Sequence, residues 1–487
     1  NVIGSTTLAS SFINAASLGT TGGHTTGIFS SASLTTTTIS SNTVMNLTNQ
    51  YGGTSTTGQT RGIYISSGSN TVTGNTIGAL TNLSPQIGIN TLASVIGIGV
   101  SSTFYSAHSI NLNTISGLGN GSVLNAVNLT GIYLAGPTTT NSDIFRNTIS
   151  AIGSASAGTA VINGIVLASG IASTYNNFIN LGLDAVGASL TNSHEYNGII
   201  KSSTTNNKLY YNTIAIQGTG IGAGAANTYA FRRTLSGVDT LYNNILFNSR
   251  SNGVATGINY SFGINNSTTL VSNKNIIYGN GTGYVLGLDN LTPYATLGAW
   301  TAASSQDINS FSVNPTFLSL TDLHINNTTA SALESRGVVI NGITNDYDNQ
   351  TRPGPIPSVN GGGILPDIGA DEFDGIPLQI DMGVLSLWRP SATGCHGSAD
   401  SVTLVIKNFS SVPINFAINP VDVNSSVTGP NAMSFPTVNL TSGILPGNSS
   451  MNVTVSTTYN MSALGTYVFN AVTVIALDVI PSNDALT

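Results

Sequence analysis

The 487-residue sequence predicts an all-β protein, with a right-handed parallel β-helix followed by an immunoglobulin-like β-sandwich. Three observations lead to this prediction. Only 6% of the residues are charged, 40% are hydrophobic and 55 are glycine, which fits neither a disordered chain nor a helical cytosolic enzyme. Two short motifs recur about every 34 residues within residues 1–304. Short alternating apolar runs then follow within residues 376–487, at the spacing of a sandwich.

The repeat rests on two anchors that keep a constant phase. The first is an asparagine followed by Ile or Val directly or one residue later, at Asn42, Asn75, Asn113, Asn147, Asn177, Asn212, Asn244 and Asn275. The second is Gly-Ile, beginning at Gly27, Gly62, Gly97, Gly131, Gly164, Gly198 and Gly263, with Tyr229-Ala230-Phe231 at the missing position. Short β-branched segments between turn residues predict one parallel coil per period and about eight coils.

The asparagine anchor has two structural interpretations. An asparagine beside a strand tolerates the left-handed conformation of a corner, and its amide can also bond to the equivalent asparagine one coil away. Asn1 begins another copy of this anchor, so the sequence starts in the middle of a coil.

Strand alternation in the Gly-Ile segments predicts an outward apolar stripe. We expect Ile63, Ile132 and Ile165 to stack inside the solenoid. The outward positions are then Phe29, Tyr64, Gly99, Tyr133, Val166, Ile200 and Phe231. A long apolar patch is rarely left uncovered, so the chain's own connections, another surface-protein subunit or a sugar should cover it. The stripe is therefore the candidate contact within a larger surface assembly.

Charge and cysteine content exclude several functional classes. The net charge of −7 gives no support to a nucleic-acid partner. The single cysteine, Cys395, allows neither a disulfide nor a Cys-based zinc site within the chain. No apolar run approaches 18 residues, so no transmembrane segment is expected.

Residues 305–375 form an acidic region that we expect to close the solenoid. It contains Asp-Leu-His-Ile at 322–325, Asn-Asp-Tyr-Asp-Asn-Gln-Thr-Arg-Pro at 345–353 and Asp-Ile-Gly-Ala-Asp-Glu-Phe at 367–373. These motifs resemble the solenoid ends of secreted bacterial right-handed β-helix proteins of the choice-of-anchor Q group. Asn349 stands where that pattern has glycine, and asparagine tolerates the left-handed conformation. The resemblance covers residues 313–374 and implies export and bacterial surface display, often by the type IX route, but no activity.

The acidic side chains of this region allow two interpretations. Hard oxygen ligands suit Ca²⁺, which makes a weak calcium site of Asp346, Asp348, Asp367, Asp371 and Glu372, with Asp374 beside them. The alternative is a structural turn in which Arg352 binds Asp367 or Glu372. The structural turn is favoured, because the closing motif marks the end of the solenoid in the proteins that the chain resembles. Apart from calcium, no cofactor is expected.

Many β-helix proteins cleave polysaccharides, which requires converging carboxylates or acidic calcium ligands with a base. Residues 1–300 contain only five acidic side chains: Asp143, Asp184, Glu195, Asp239 and Asp289. The best catalytic candidates are His194 and Glu195 with Lys201 and Asp184, although a polar loop with one ion pair explains them more simply. We therefore predict no catalytic site.

Weaker candidates remain outside this set. Arg232 and Arg233 could bind an acidic sugar, but an exposed pair of arginines is the simpler interpretation. Cys395 next to His396 gives little support to a metal or redox role. Thr240 and Ser401 each follow an aspartate and precede an aliphatic residue, a pattern used for O-glycosylation in bacteria with the type IX route.

Residues 376–487 are similar to the CARDB-like Ig modules of bacterial surface proteins. Together these features predict a non-catalytic, extracellular structural or adhesive module of a bacterial cell-surface protein or surface fibre. Its partners would be other surface-protein subunits or flanking domains of a longer chain. The alternatives are a carbohydrate-active enzyme, either a polysaccharide lyase or a glycosidase, and a carbohydrate-binding protein that takes a polysaccharide as partner.

Overall fold

A computed structural model describes most of the chain. The described residues are 1–8, 10–14, 23–32, 36–51, 58–84, 93–103, 107–123, 126–360, 362–377, 380–410, 413–417, 419–475, 478 and 480–486. About 48% of the chain is strand and 3% is helix, so the all-β prediction is confirmed. The chain divides into two compact units, Asn1–Ile376 and Pro377–Thr487.

The first unit is a parallel β-solenoid of about seven turns with three strands in each coil. Sheet 1 contains Thr25–Ser30, Thr60–Ile65, Val95–Ser101, Asn128–Ala135, Val161–Ser169, Glu195–Lys201, Thr228–Arg233, Asn259–Ile264 and Tyr284–Asp289, with Thr292–Tyr294 added antiparallel. Sheet 2 contains Thr36–Ser40, Ser69–Thr73, Ser109–Asn111, Asn141–Phe145, Ile171–Tyr175, Asn207–Tyr210, Asp239–Tyr242 and Leu270–Asn273. Sheet 3 contains Val2–Ile3, Phe12–Asn14, Thr43–Met45, Leu47–Asn49, Thr76–Asn82, Thr114–Asn120, Thr148–Ser154, Phe178–Leu181, Thr213–Ile216, Ile245–Asn248 and Ile276–Tyr278.

The Gly-Ile anchor lies in sheet 1, where close packing requires glycine. A Cβ on Gly131 would lie 2.7 Å from Cγ2 of Ile149 in sheet 3 and 2.7 Å from the carbonyl oxygen of Gly164 in the next coil. Ile132 follows it and stacks directly on Ile165, and both are fully buried. The glycine therefore lets sheets 1 and 3 approach each other beside a continuous isoleucine stack.

The asparagine anchor forms a buried ladder along the solenoid. Each Oδ1 accepts hydrogen bonds from the backbone N–H and the side-chain amide of the preceding anchor, as in Asn113 to Asn147 at 3.1 and 3.0 Å. Asn1 joins the ladder through Asn42 at 3.0 Å. The left-handed residue is the one before the asparagine, namely Ser41, Gly74, Leu112, Arg146, Asn176, Tyr211, Asn243 and Lys274. The amide-bonding interpretation therefore holds, whereas the corner conformation belongs to the preceding residue.

A short helix, Leu297–Ser304, covers the C-terminal end of the solenoid core. Thr296 caps its first turn by accepting from the backbone N–H of Ala299 at 3.2 Å. Trp300 is buried and packs on Phe262 with the ring centroids 4.8 Å apart. The first residues of the acidic region continue this cover, because Phe311 forms a parallel bridge with Ile276 and Asp307 accepts from the Asn275 amide at 3.0 Å.

The rest of the acidic region lies along the outside of the solenoid. Its backbone meets successive coils far back in the chain. Arg146 donates to the carbonyl of Tyr347 at 2.7 Å, Asn180 donates to that of Leu320 at 2.7 Å, and Asn243 donates to that of Val338 at 2.8 Å. Ala330–Ser331 is its short strand, and Ile376–Pro377 is a short strand that follows the region. The region therefore reinforces the solenoid flank.

The outward stripe is largely buried by the chain itself. Tyr133, Val166 and Ile200 are 3%, 2% and 8% exposed, whereas Phe29 is 58% exposed. Phe231 was assigned wrongly: it pairs with Ile199 and Phe262 inside the core. Since Ala230 occupies the glycine position, Phe231 takes the inward isoleucine position and Arg232 continues the outward row. Most of the stripe is therefore not available for contact with another molecule.

The second unit consists of antiparallel sheets, consistent with the predicted β-sandwich. One sheet contains Met382–Arg389, Asp400–Asn408 and Ser450–Tyr459, and the other contains Val421–Thr428, Met433–Ser434, Val438–Leu440, Val468–Ile475 and Ala485–Leu486. Ile414–Asn415 pairs with Ile444–Leu445, and Pro481–Asn483 is a 3₁₀ turn. The apolar runs at 414–418 and 466–478 are among those that predict the sandwich, and part of each lies outside the described residues. The strand Val421–Thr428 was not predicted, because polar residues at its centre hide the alternation of its buried valines.

Candidate functional site

The side chains singled out for catalysis do not converge. Both ring nitrogens of His194 face backbone groups, the N–H of Ala160 at 3.2 Å and the carbonyl of Ser154 at 3.2 Å. Glu195 binds Arg232 at a partly exposed position, whereas the Lys201 side chain is fully buried. Burial lowers the pKa of His194. This arrangement positions a connection between coils and leaves His194 without a free nitrogen.

Lys201 belongs to an ionic cluster inside the solenoid. Its Nζ lies 2.9 Å from Asp239 Oδ2, and Arg233 Nη1 lies 3.2 Å from the same oxygen. Asp239 Oδ1 accepts from the backbone N–H of Asn207 at 2.8 Å. Arg233 is thus not part of an exposed pair. Asp184 caps its own loop by accepting from the backbone N–H groups of residues 186 and 188.

Most carboxylates of the acidic region hold backbone turns. Asp346 accepts from the backbone N–H groups of Gln350 and Glu372 at 2.7 and 2.9 Å. Asp367 accepts from those of residues 335 and 373 at 2.6 and 2.9 Å. Glu334, a residue outside the predicted acidic set, accepts from the backbone N–H groups of residues 363 and 375. These buried oxygens therefore replace regular strand pairing in an irregular region.

Arg352 is the central cation of the acidic region. It is 6% exposed, and its Nη1 lies 2.5 Å from Glu372 Oε2. Its guanidinium also donates to the carbonyl of Gly369 at 2.8 Å and lies over the Tyr211 ring, 4.3 Å from the centroid. Of the two partners expected, Glu372 is the ionic one, and Asp367 contributes its carbonyl at 3.3 Å.

Burial governs the titration of these acids. It raises the pKa of Glu372 to about 7 against the opposing effect of Arg352. It raises the pKa of Asp367 well above its ordinary range, with the Glu372 carboxylate adding to the effect. Several carboxylates are therefore buried close together beside one arginine, and this arrangement favours the protonated form of Asp367 and Glu372.

Two of the predicted calcium ligands, Asp348 and Asp371, lie next to His324 and not next to the other predicted carboxylates. Ligand atoms of His324, Asp348 and Asp371 all lie within 4.8 Å of one another, the one such group of three in the described residues. His324 Nε2 is 2.8 Å from Asp348 Oδ2, and Nδ1 is 2.5 Å from Asp322 Oδ1. Asp346, Asp367 and Glu372 stand outside this cluster. His324 was not predicted as a site residue, although a histidine within one of the acidic motifs was the available signal.

The cluster borders an open cleft of about 880 Å³. His324 and Asp348 are 30% and 45% exposed at their side chains, whereas Asp371 is 6% exposed. Asp371 Oδ2 accepts from the backbone N–H of Ile325 at 2.8 Å. The cluster is thus reachable from solvent on one side and held by the backbone on the other.

The remaining candidates lie apart from the cleft. Thr240 is half-buried within the sheet 2 strand Asp239–Tyr242, and Ser401 is half-buried within Asp400–Asn408. Cys395 is exposed, and His396 Nδ1 lies 3.7 Å from Asp400 Oδ2. None of these four residues belongs to the cluster of His324.

No family model, curated protein or solved structure matches the chain. In the part of the chain that the structure describes, no helix has both the length and the apolar character needed to cross a membrane.

Proposed function

We propose that this chain is a non-catalytic structural or adhesive module of a bacterial cell-surface protein, in which the solenoid serves as a stiff spacer. The proposal includes an extracellular location and, as partners, other surface-protein subunits or flanking domains of a longer chain. The choice-of-anchor Q-like motifs of the acidic region and the sandwich that follows support bacterial surface display, with the type IX route as the proposed path of export.

The observation that carries this proposal is the buried amide ladder. It runs from Asn1 through each asparagine anchor to Asn275, whose amide donates to Asp307 Oδ1 at 3.0 Å. Asp307 is 2% exposed and also accepts from the Trp300 indole at 2.9 Å. The ladder thus links every coil to the next and ends on the covering helix. Such a continuous network resists sliding and bending between coils, which suits a spacer.

The ion pairs formed by the charged side chains of the solenoid argue against the alternative that the chain cleaves polysaccharides. Glycosidases and lyases need ionised groups that converge on one bond. Glu195 is paired with Arg232 near the surface, whereas Asp239 is paired with Lys201 and Arg233 in the interior. These groups therefore stabilise coils at separate places.

The packing of aromatic rings between neighbouring coils argues against sugar binding to those rings. A sugar needs an open ring face, but rings in adjacent coils stack on one another. Phe145 and Tyr175 lie 4.8 Å apart at 2°, and Tyr229 and Tyr260 lie 5.4 Å apart at 11°. Stacking between coils uses these faces and adds to the stiffness of the rod.

A polysaccharide panel with a matched variant tests the proposal against its rivals. The full chain, Glu195→Gln and Asp184→Asn would each be assayed for new reducing ends, for unsaturated products and for binding. We expect neither cleavage nor binding by any of the three. Cleavage that disappears in Glu195→Gln but persists in Asp184→Asn would establish the enzyme alternative.

A second experiment tests the location. Intact cells that express the gene would be treated with protease and then probed with antibody against the chain. We expect the chain to be accessible and removed. Protection in intact cells with loss only after lysis would refute surface display.

A further inference from the structure

We propose that His324, Asp348 and Asp371 form a binding site for a divalent first-row transition metal, with Zn²⁺ as the preferred ion. The site carries three protein ligands and leaves a coordination position open to the cleft. It lies outside the ladder on which the proposed function rests, so the two proposals stand or fall separately.

The ligand chemistry selects the metal class. One imidazole nitrogen and two carboxylate oxygens suit zinc and its neighbours, whereas Ca²⁺ prefers six to eight oxygen ligands. The side chains come from three separate segments, 322–325, 345–351 and 367–373. A bound ion would therefore join the three motifs of the acidic region at one point.

The histidine is held as a metal ligand usually is. Its Nδ1 faces Asp322 Oδ1 at 2.5 Å, which leaves Nε2 directed at Asp348. Metal-binding histidines commonly give their second nitrogen to a carboxylate, which fixes the ring orientation. The ring also contacts Phe178, with centroids 4.8 Å apart, and Tyr347, with centroids 6.0 Å apart. When the metal binds, Nε2 loses its proton to solvent and coordinates the ion through its lone pair. The bond from Nε2 to the metal then replaces the hydrogen bond from Nε2 to Asp348.

The carboxylates supply one fixed ligand and one adjustable ligand. Asp371 is held through Oδ2 by the Ile325 N–H, and Oδ1 accepts no hydrogen bond from the described residues. Asp348 is 45% exposed and can rotate. Ligand atoms around tetrahedral zinc lie about 3.3–3.6 Å apart, so the present separations of up to 4.8 Å and the 2.8 Å contact need shifts of about 1 Å. Rotation of Asp348 can supply much of this adjustment.

The test measures metal binding directly in the full chain. The protein would carry Cys395→Ser, to remove its exposed thiol, and would be stripped with chelator. Titration with Zn²⁺ should show one equivalent bound per chain and a rise in Tm. Titration with Co²⁺ should give the visible absorption of a four- or five-coordinate site.

The variants assign the ion to the site. His324→Gln and the isosteric Asp371→Asn should each weaken Zn²⁺ binding at least about 100-fold, and Asp322→Asn should weaken it about 10–100-fold. His396→Ala, which removes a histidine of the second unit beside Asp400, should leave binding unchanged. Asp371→Asn keeps the acceptor for the Ile325 N–H, so it remains informative if His324→Gln does not fold.

Three results would overturn the proposal. The first is less than about one tenth of an equivalent of Zn²⁺ bound by the folded protein. The second is Zn²⁺ binding that persists in both His324→Gln and Asp371→Asn. The third is Ca²⁺ binding at least as tight as Zn²⁺ binding and insensitive to His324→Gln.

Discussion

The asparagine ladder makes a quantitative prediction about one side chain, that of Asn147. This residue is fully buried, and its side chain lies within hydrogen-bonding distance of five partner atoms. Because its amide nitrogen carries two hydrogens shared among three acceptors, the side chain makes four full hydrogen bonds. Its amide donates to the carbonyls of Ile110 and Phe145 and to Asn177 Oδ1, at 2.9 to 3.1 Å. Its Oδ1 accepts from the backbone and side-chain amides of Asn113. Asn147→Ala removes all of these hydrogen bonds at once.

The expected loss of stability is about 3 kcal/mol. Four full hydrogen bonds at a net ~1 kcal/mol each set a ceiling of ~4 kcal/mol. The loss is smaller than the ceiling, because the Asn113 amide keeps a bond to Val72 and the backbone N–H of residue 147 still reaches Asn177. The backbone N–H of Asn113 has no second acceptor among the described residues, and leaving it buried costs about 1–3 kcal/mol by itself.

Urea unfolding and amide hydrogen exchange measure the effect. Solenoid stability is roughly a sum over neighbouring coils, so exchange should accelerate most in the coils next to Asn147. The matched control is Asn141→Ala in the same coil, because Asn141 is exposed and its side chain, among the described residues, bonds only to Asp143 and Ser173. The control should cost less than about 1 kcal/mol.

An equal loss in Asn147→Ala and Asn141→Ala, or a loss below about 1 kcal/mol in Asn147→Ala, would refute the ladder as a stabilising element. A double variant with Asn177→Ala adds a further test. Since the two side chains share a bond of 2.9 Å, their effects should be non-additive by at least about 0.5 kcal/mol.

Three further predictions concern other parts of the molecule. Gly131→Ala should destabilise the solenoid by at least about 1–3 kcal/mol in urea unfolding, because the added Cβ would overlap sheet 3 and the next coil. The control Gly119→Ala should be nearly neutral, because no atom lies within 4 Å of its added Cβ. Arg352→Ala leaves Glu372 buried without its cation, so the free energy of unfolding should fall by about 3–5 kcal/mol. Amide hydrogen exchange should also become faster across residues 345–373, and unchanged exchange there would contradict this role of Arg352. In the second unit, burial and nearby carboxylates raise the pKa of Asp484 to about 6. Its unfolded pKa is about 3.9, so stability should decline as pH rises from about 4 to 6. Asp484→Asn should reduce that slope in thermal unfolding, and an unaltered slope would count against the shift.

The chemical context of individual residues explains which features the sequence could predict. The glycine at position 131 and the isoleucine at 132 repeat with every coil because one coil's packing recurs in the next, so periodicity alone predicts the stack. The ladder was predictable for the same reason. The single-copy features have no repeat to reveal them, and the end of the ladder on Asp307 and the cover by Trp300 therefore became visible only in three dimensions.

The sequence by itself determined the all-β class, the period, the position of the second unit and the identity of the inward isoleucines. Strand alternation and β-branched composition are local properties, so they can be read along the chain. Tertiary structure decided where the acidic region lies, which carboxylate faces Arg352 and which two aspartates meet His324. These contacts join residues far apart in sequence, and their partners are chosen by the path of irregular backbone, which no local pattern specifies. The error at Phe231 has a different origin: Ala230 occupies the glycine position, so Phe231 pairs with Ile199 and Phe262 and takes the inward position.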